Sequence, residues 1–211
     1  MRKIVVTAFF LLMAFFVKAQ YNGYTPVSDL AKFKVDFSAT TQKTTSIKSD
    51  FIQEKNLVML SEKIIAKGKF WFKKESHVRM EYNHPYQYLM ILNKDKVYVK
   101  DGQKENKIST SSNKLFQQIN KIMIDCMQGT ALNNPNFTTS VFENKNMWLV
   151  ELTPVTKGLK TLFKSINIII YKKDFSVSSI DMLEMSGDNT LIRFINKELN
   201  VITPDSLFII R

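Results

Sequence analysis

The sequence predicts a mainly β fold with some α: a long antiparallel sheet that curls on itself, with helices lying across its concave face. Three observations predict it. Apolar and charged residues alternate at a period of two through most of residues 46–196. Two segments, residues 26–45 and 113–128, switch to steps of three and four, the spacing of a helix with one apolar face. Short polar stretches punctuate the alternating runs at hairpin spacing. Eight or more twisted antiparallel strands tend to curl, and helices placed over the opening cover the apolar hollow.

The chain opens with Met1-Arg2-Lys3, an apolar run over residues 4–17, and then Lys18-Ala19-Gln20. That is the charged, greasy and small-residue order of a secretory signal, with cleavage expected between Ala19 and Gln20. The run is shorter than the ~20 apolar residues a spanning helix needs. No cysteine directly follows it to carry an acyl anchor, so a freely soluble exported chain is expected. Residues 1–19 are therefore assigned as signal peptide and residues 20–211 as a single domain, because no Gly/Ser/Pro-rich linker divides them.

Within residues 26–45, Val27, Leu30, Phe33 and Phe37 form the apolar stripe of an N-terminal helix, with Ser28 as its expected cap. From Ser46 the period changes: Ile47, Ser49 and Phe51 alternate with Lys48 and Asp50, as in a strand with one buried face. Strands are expected over residues 64–72 and 77–82. In the first, Phe70 and Phe72 oppose Lys69 and Lys73; in the second, Val78, Met80 and Tyr82 oppose Arg79 and Glu81. Residues 86–92 and 97–100 follow, joined by the polar stretch Asn93-Lys94-Asp95-Lys96.

Residues 113–128 then present Leu115, Phe116, Ile119, Ile122, Met123, Cys126 and Met127 on a wide stripe that ends at Gly129. Strands resume over residues 140–142, 147–153, 165–172, 176–185 and 190–196, the last two joined by Ser186-Gly187-Asp188-Asn189.

The chemical inventory is thin. Cys126 is the only cysteine, so no internal disulfide can form, and its apolar neighbours predict a buried thiol. His77 and His84 flank one strand with no second His/Cys cluster, a pattern of turn histidines rather than metal ligands. There is no glycine-rich phosphate loop, G-x-S-x-G or H-E-x-x-H motif. No catalytic residue, metal site or cofactor is expected, and the chain is read as a non-enzyme.

The formal charge is +11, and loss of Arg2, Lys3 and Lys18 would leave 27 basic against 19 acidic side chains, or +8. The lysines are strewn singly among strands, which argues against nucleic acid and for transient contact with anionic membrane surfaces. Sixteen Phe and ten Met supply large, flexible apolar surface suited either to a core or to a cavity for variable greasy ligands.

Several stretches resemble the periplasmic outer-membrane lipoprotein carriers, the LolA-like family. They are Ser46-Ile47-Lys48-Ser49-Asp50-Phe51-Ile52-Gln53-Glu54, then Ala66-Lys67-Gly68-Lys69-Phe70-Trp71-Phe72-Lys73-Lys74, then Val78-Arg79-Met80-Glu81-Tyr82. Met90-Ile91-Leu92-Asn93-Lys94-Asp95-Lys96-Val97-Tyr98-Val99, Leu152-Thr153-Pro154 and residues 200–208 continue the likeness over nearly all of the mature chain. Each stretch is short, and the weight lies in their order and spacing.

The resemblance implies an incomplete, half-open antiparallel β-barrel whose concave face is covered by helices. It implies a periplasmic carrier that receives acylated lipoproteins from an inner-membrane lipoprotein-releasing transporter and passes them to an outer-membrane acceptor. A monomer is expected. Phe70, Phe72, Val78, Met80, Tyr82, Met90 and Leu92 are the expected lipid-binding cavity residues. Leu115, Phe116, Ile119, Ile122, Met123 and Met127 belong to the expected lid helix. Where the family commonly has arginine followed by proline, holding the lid shut, this sequence has Lys74 and Glu75. Lys74 is the candidate latch, a weaker one because it lacks the planar fork of a guanidinium. A related lipid- or glycolipid-binding or sensing module of the same fold remains the alternative.

Overall fold

The structure, a computed structural model, describes residues 21–94, 96–102, 104–108 and 114–210. The expected signal segment, residues 1–19, lies outside the described residues.

A two-residue strand, β1 (Thr25–Pro26), precedes helix α1 (Leu30–Lys43). A first meander follows: β2 (Ser46–Leu57), β3 (Glu62–Lys73), β4 (His77–His84), β5 (Tyr88–Asn93), β6 (Lys96–Asp101) and β7 (Lys104–Ile108). Helix α2 (Lys114–Gln128) interrupts it. A second meander comprises β8 (Phe137–Glu143), β9 (Met147–Pro154), β10 (Phe163–Tyr171), β11 (Val177–Glu184) and β12 (Asn189–Leu199), with a single turn of helix, α3 (Lys157–Lys160), before β10.

Strand β12 returns to pair antiparallel with β2, so the two meanders fuse into one sheet of order β1-β8-β9-β10-β11-β12-β2-β3-β4-β5-β6-β7. The outer strands β1 and β7 do not pair with each other; the sheet is open, as the half-open barrel requires. Laid flat, twelve strands at ~4.8 Å spacing would span about 50 Å, far more than two helices about 10 Å wide can cover. Yet residues from both halves of the sheet share one core with both helices: Phe70, Val78 and Met90 from one side, Val150, Ile168 and Ile180 from the other, Phe33 and Phe37 from α1, Met123 and Met127 from α2. Only a curled sheet permits this.

Helix α1 starts later than the apolar spacing suggests, and its cap is Asp29 rather than Ser28. The Asp29 carboxylate accepts from the Lys32 amide at 2.8 Å. The residues ahead of it are drawn into the sheet instead, β1 pairing with β8 and the Val27 amide donating to the Val141 carbonyl. Strand β7 was not anticipated because Lys104-Glu105-Asn106-Lys107 carries no apolar alternation; a charged edge strand discourages further pairing.

The other face of β3–β6 is also covered. Ile91, Tyr98 and Phe208 form a second cluster there, with Trp71, Leu89 and Leu207 against it. The C-terminal segment is fastened by Arg79, which donates to the Leu207 carbonyl at 3.2 Å, and by Asn93, which donates to the Phe208 carbonyl at 3.1 Å.

Candidate functional site

Strand pairing sorts the inward side chains of β2–β6 into rows. Ile47, Phe72, Val78, Leu92 and Val97 are cross-strand partners in the first row. Ser49, Phe70, Met80, Met90 and Val99 form the second. Phe51, Gly68, Tyr82, Tyr88 and Asp101 form the third. The rows pass from wholly aliphatic and aromatic, through methionine, to phenol and carboxylate. A gradient from greasy interior to polar rim is what register alone builds here.

Gly68 is required where it stands. A β-carbon there would lie 2.0 Å from the Glu81 carbonyl oxygen and 2.8 Å from the Phe51 ring. The Phe51 ring occupies that space and meets Tyr82 edge-on at 4.8 Å.

Between the second and third rows and the neighbouring strands β11 and β12 lies a cavity of about 180 Å³ lined by Gln53, Lys55, Met80, Tyr82, Tyr88, Met90, Met123, Met182, Thr190 and Ile192. Outside it, sharing Tyr82 and Tyr88, is a wider recess of about 440 Å³ bounded by Tyr82, Tyr86, Tyr88 and Asp101. The Tyr82 hydroxyl donates to Gln53 Oε1 at 2.9 Å, and Lys55 pairs with Glu184 at 2.5 Å on the opposite wall.

Of the seven expected cavity residues, Met80, Tyr82 and Met90 line the inner cavity, with Met123 of α2 facing them. Phe70, Phe72, Val78 and Leu92 are buried in the core cluster. Gln53, Lys55, Tyr88, Met182, Thr190 and Ile192 are additional lining residues. Their signal was present, since period-two counting from Phe51 reaches Gln53 and Lys55. Counting from the buried Ile180 and Phe194 likewise reaches Met182 and Ile192.

On α2, Ile122, Met123 and Met127 are buried beneath the sheet's hollow. The helix backbone also carries Leu115, Phe116 and Ile119, whose side chains lie outside the described residues. The C-terminal end of α2 is anchored: Asn134 Nδ2 and Thr130 Oγ1 donate to the Asp125 carboxylate at 2.8 and 3.2 Å. Gly129, at φ +75°, presses against Thr41 of α1, where a β-carbon would meet Oγ1 at 2.0 Å. Lys74, in the β3–β4 turn, donates from Nζ to the Gln42 carbonyl near the end of α1.

Burial dominates the electrostatics. It pushes the Tyr82 phenol up, with Tyr86 and Tyr88 adding to the effect, and raises Tyr88 to about 12, with Asp101 contributing second. Cys126 is buried and its thiol is pushed up by desolvation, the opposite of a reactive thiolate. His77 leans on the Phe208 ring at 5.5 Å, while His84 is exposed at the far end of β4. Among the described residues, no group of three or more His, Cys, Asp or Glu could hold a metal ion. No described helix is long and apolar enough to cross a membrane.

No curated protein matches the sequence. Among solved structures, a LolA superfamily protein from Nitrosomonas europaea is 9% identical with a TM-score of 0.47, covering 85% of this chain and 97% of that one. A DUF1329 family protein from Desulfovibrio piger is 14% identical with a TM-score of 0.49, covering 86% and 98%. The MucA/MucB complex of Pseudomonas aeruginosa matches at 8% identity and a TM-score of 0.50, over 83% of this chain and 59% of that one, a likeness of fold alone. Residues 42–211 match the family model of the outer membrane lipoprotein carrier protein LolA, and the chain belongs to that family.

Proposed function

We propose that the protein is an exported, non-enzymatic periplasmic carrier that shelters the acyl chains of lipoproteins in its curled sheet and shuttles them from inner to outer membrane. The observation that carries the reading is the graded set of rows: an apolar interior opening through Met80, Met90, Met123 and Met182 onto a rim of tyrosine and carboxylate. Methionine walls adapt to chains of different shape.

The inner cavity, about 180 Å³, is smaller than the ~300–1,000 Å³ of ordinary ligand pockets. Loading therefore requires the cover to move. Helix α2, whose Met123 lines the cavity and whose Gly129 end packs on Thr41 of α1, is the cover proposed to move. The opening cost is useful. Burying one chain of ~14 methylenes at ~0.8 kcal/mol each gives roughly 11 kcal/mol, so three fully buried chains would exceed the ~18–21 kcal/mol ceiling of reversible binding. A carrier must hold its cargo more loosely than that.

The exposed tip of the β2–β3 hairpin, Val58, Met59 and Leu60, is the surface proposed to touch the membrane during exchange. The small inner cavity also favours a second reading, a module of the same fold that binds a single free lipid or glycolipid. Mass spectrometry of ligands released from protein purified from its native cells separates the two. A lipopeptide or whole lipoprotein supports the carrier, a free lipid supports the alternative, and an empty protein that also fails to bind added acyl chains sinks both.

A further inference from the structure

Beyond the apolar cavity, the rim has a chemistry of its own. Tyr82 and Tyr86 lie nearly parallel, at 22° with ring centroids 5.9 Å apart; Tyr82 and Tyr88 meet at 81° and 5.4 Å. The three rings thus make two walls close to a right angle around a recess of about 440 Å³. Register brings the Asp101 carboxylate to the same place, since Tyr82 pairs with Tyr88 across β4–β5 and Tyr88 pairs with Asp101 across β5–β6.

Burial, and after it the charge of Asp101, pushes the phenols of Tyr86 and Tyr88 up, so these rings stay neutral at physiological pH. Among the described residues that line the recess, Asp101 is the one with a formal charge. The nearest cation on the opposite wall of the inner cavity, Lys55, is already paired with Glu184 at 2.5 Å. Aromatic faces carry negative potential, and a carboxylate beside them completes the environment that recognises an organic cation.

We propose that Tyr82, Tyr86, Tyr88 and Asp101 form a binding site for an ammonium headgroup, selecting amphiphiles whose tail enters the neighbouring apolar cavity. This rests on the acyl-binding reading and deepens it by naming the headgroup class. The site works against the overall field: the chain carries a formal charge of +11, which by itself favours anionic heads. A preference for a cationic head therefore has to come from these local groups.

The test is isothermal titration of the purified protein with two probes of equal tail length below their micelle concentrations, dodecyltrimethylammonium and dodecyl maltoside. The expected result is about tenfold tighter binding of the cationic probe. Tyr86 and Asp101 are exposed, so the Y86A/D101N variant keeps the fold, checked by an unchanged unfolding temperature. It should lose the preference while binding the maltoside as before. Equal affinities in the unaltered protein, or a preference that survives in Y86A/D101N, overturn the headgroup site and leave acyl binding standing. Failure to bind either probe overturns both.

Discussion

Lys74 donates from Nζ to the main-chain carbonyl of Gln42, joining the β3–β4 turn to the last turn of α1. That carbonyl is one of the four that a helix C-terminus leaves without an internal partner, and a cation there also opposes the negative end of the helix dipole. The contact is exposed, so its net worth is on the order of 0.5–1 kcal/mol. Lys74→Met should lower the unfolding temperature by roughly 1–4 °C for a chain of this size and speed hydrogen exchange in α1. Lys74→Arg should restore both. Unchanged exchange in α1 would show that Lys74 does not restrain the helix.

Met80→Glu tests the cavity without dismantling the sheet. Met80 is buried, but the cavity of about 180 Å³ beside it can admit water to solvate a carboxylate while it is empty. A hydrocarbon occupant displaces that water and leaves the charge without partners, a loss of several kcal/mol. Acyl binding should fall by at least a hundredfold, while Met80→Leu should bind almost as the unaltered protein does. Binding retained in Met80→Glu would place the acyl chains elsewhere.

How much of this was legible in the sequence depended on whether one face of a segment is buried. Phe70, Phe72, Val78 and Met80 could be assigned inward because Lys69, Lys73, Arg79 and Glu81 occupy alternate positions beside them. Trp71 and Ile91, on the outer face of the same strands, become half-buried and buried only because residues of the C-terminal segment, Phe208 among them, fold over them, and no local pattern announces a covering from more than a hundred positions away. The grouping of Tyr82, Tyr88 and Asp101 is likewise set by pairing register across three strands, a long-range property. Gly68 was visible as part of a short motif, but its reason, the Phe51 ring filling its β-carbon position, appears only in three dimensions.

The β2–β3 hairpin tip offers a membrane-contact prediction. Val58, Met59 and Leu60 are 59%, 91% and 67% exposed, and the Val58 amide is held by the Asp188 side chain at 3.0 Å, tying the tip to the β11–β12 turn. The tip lies at the end of β2 toward which Gln53 and Lys55 open the cavity. M59D/L60D removes two insertable side chains worth about 1.5–3 kcal/mol each if fully buried, so partitioning onto anionic phospholipid vesicles should drop at least tenfold. Acyl binding in solution should be unchanged. Equal partitioning of both proteins would remove the tip from the exchange step.

Lys197 gives the pH-dependent prediction. A bulge in β12, between the Ile195–Asp50 and Glu198–Lys48 pairs, turns Lys197 toward the end of β10. There Nζ donates to Ser176 Oγ at 2.8 Å and to the Val177 carbonyl at 2.7 Å, and lies over the Tyr171 ring at 4.5 Å. Burial pushes its ammonium down to about 8; Asp174 opposes the shift and Lys173 adds to it. An unfolded lysine keeps its proton to about 10.4. Between these values the unfolded chain holds more protons than the folded one, so this group makes stability rise with pH from about 8 upward, and its penalty is fully present below that. Urea midpoints of the unaltered protein and of Lys197→Met should therefore diverge between pH 7.5 and 9.5, below the range in which unfolded tyrosines titrate, with the unaltered protein gaining relative to the variant. Parallel midpoints across that interval would mean that the Lys197 ammonium keeps its hydration in the folded state, and that the bulge places it at the surface and not in the wall.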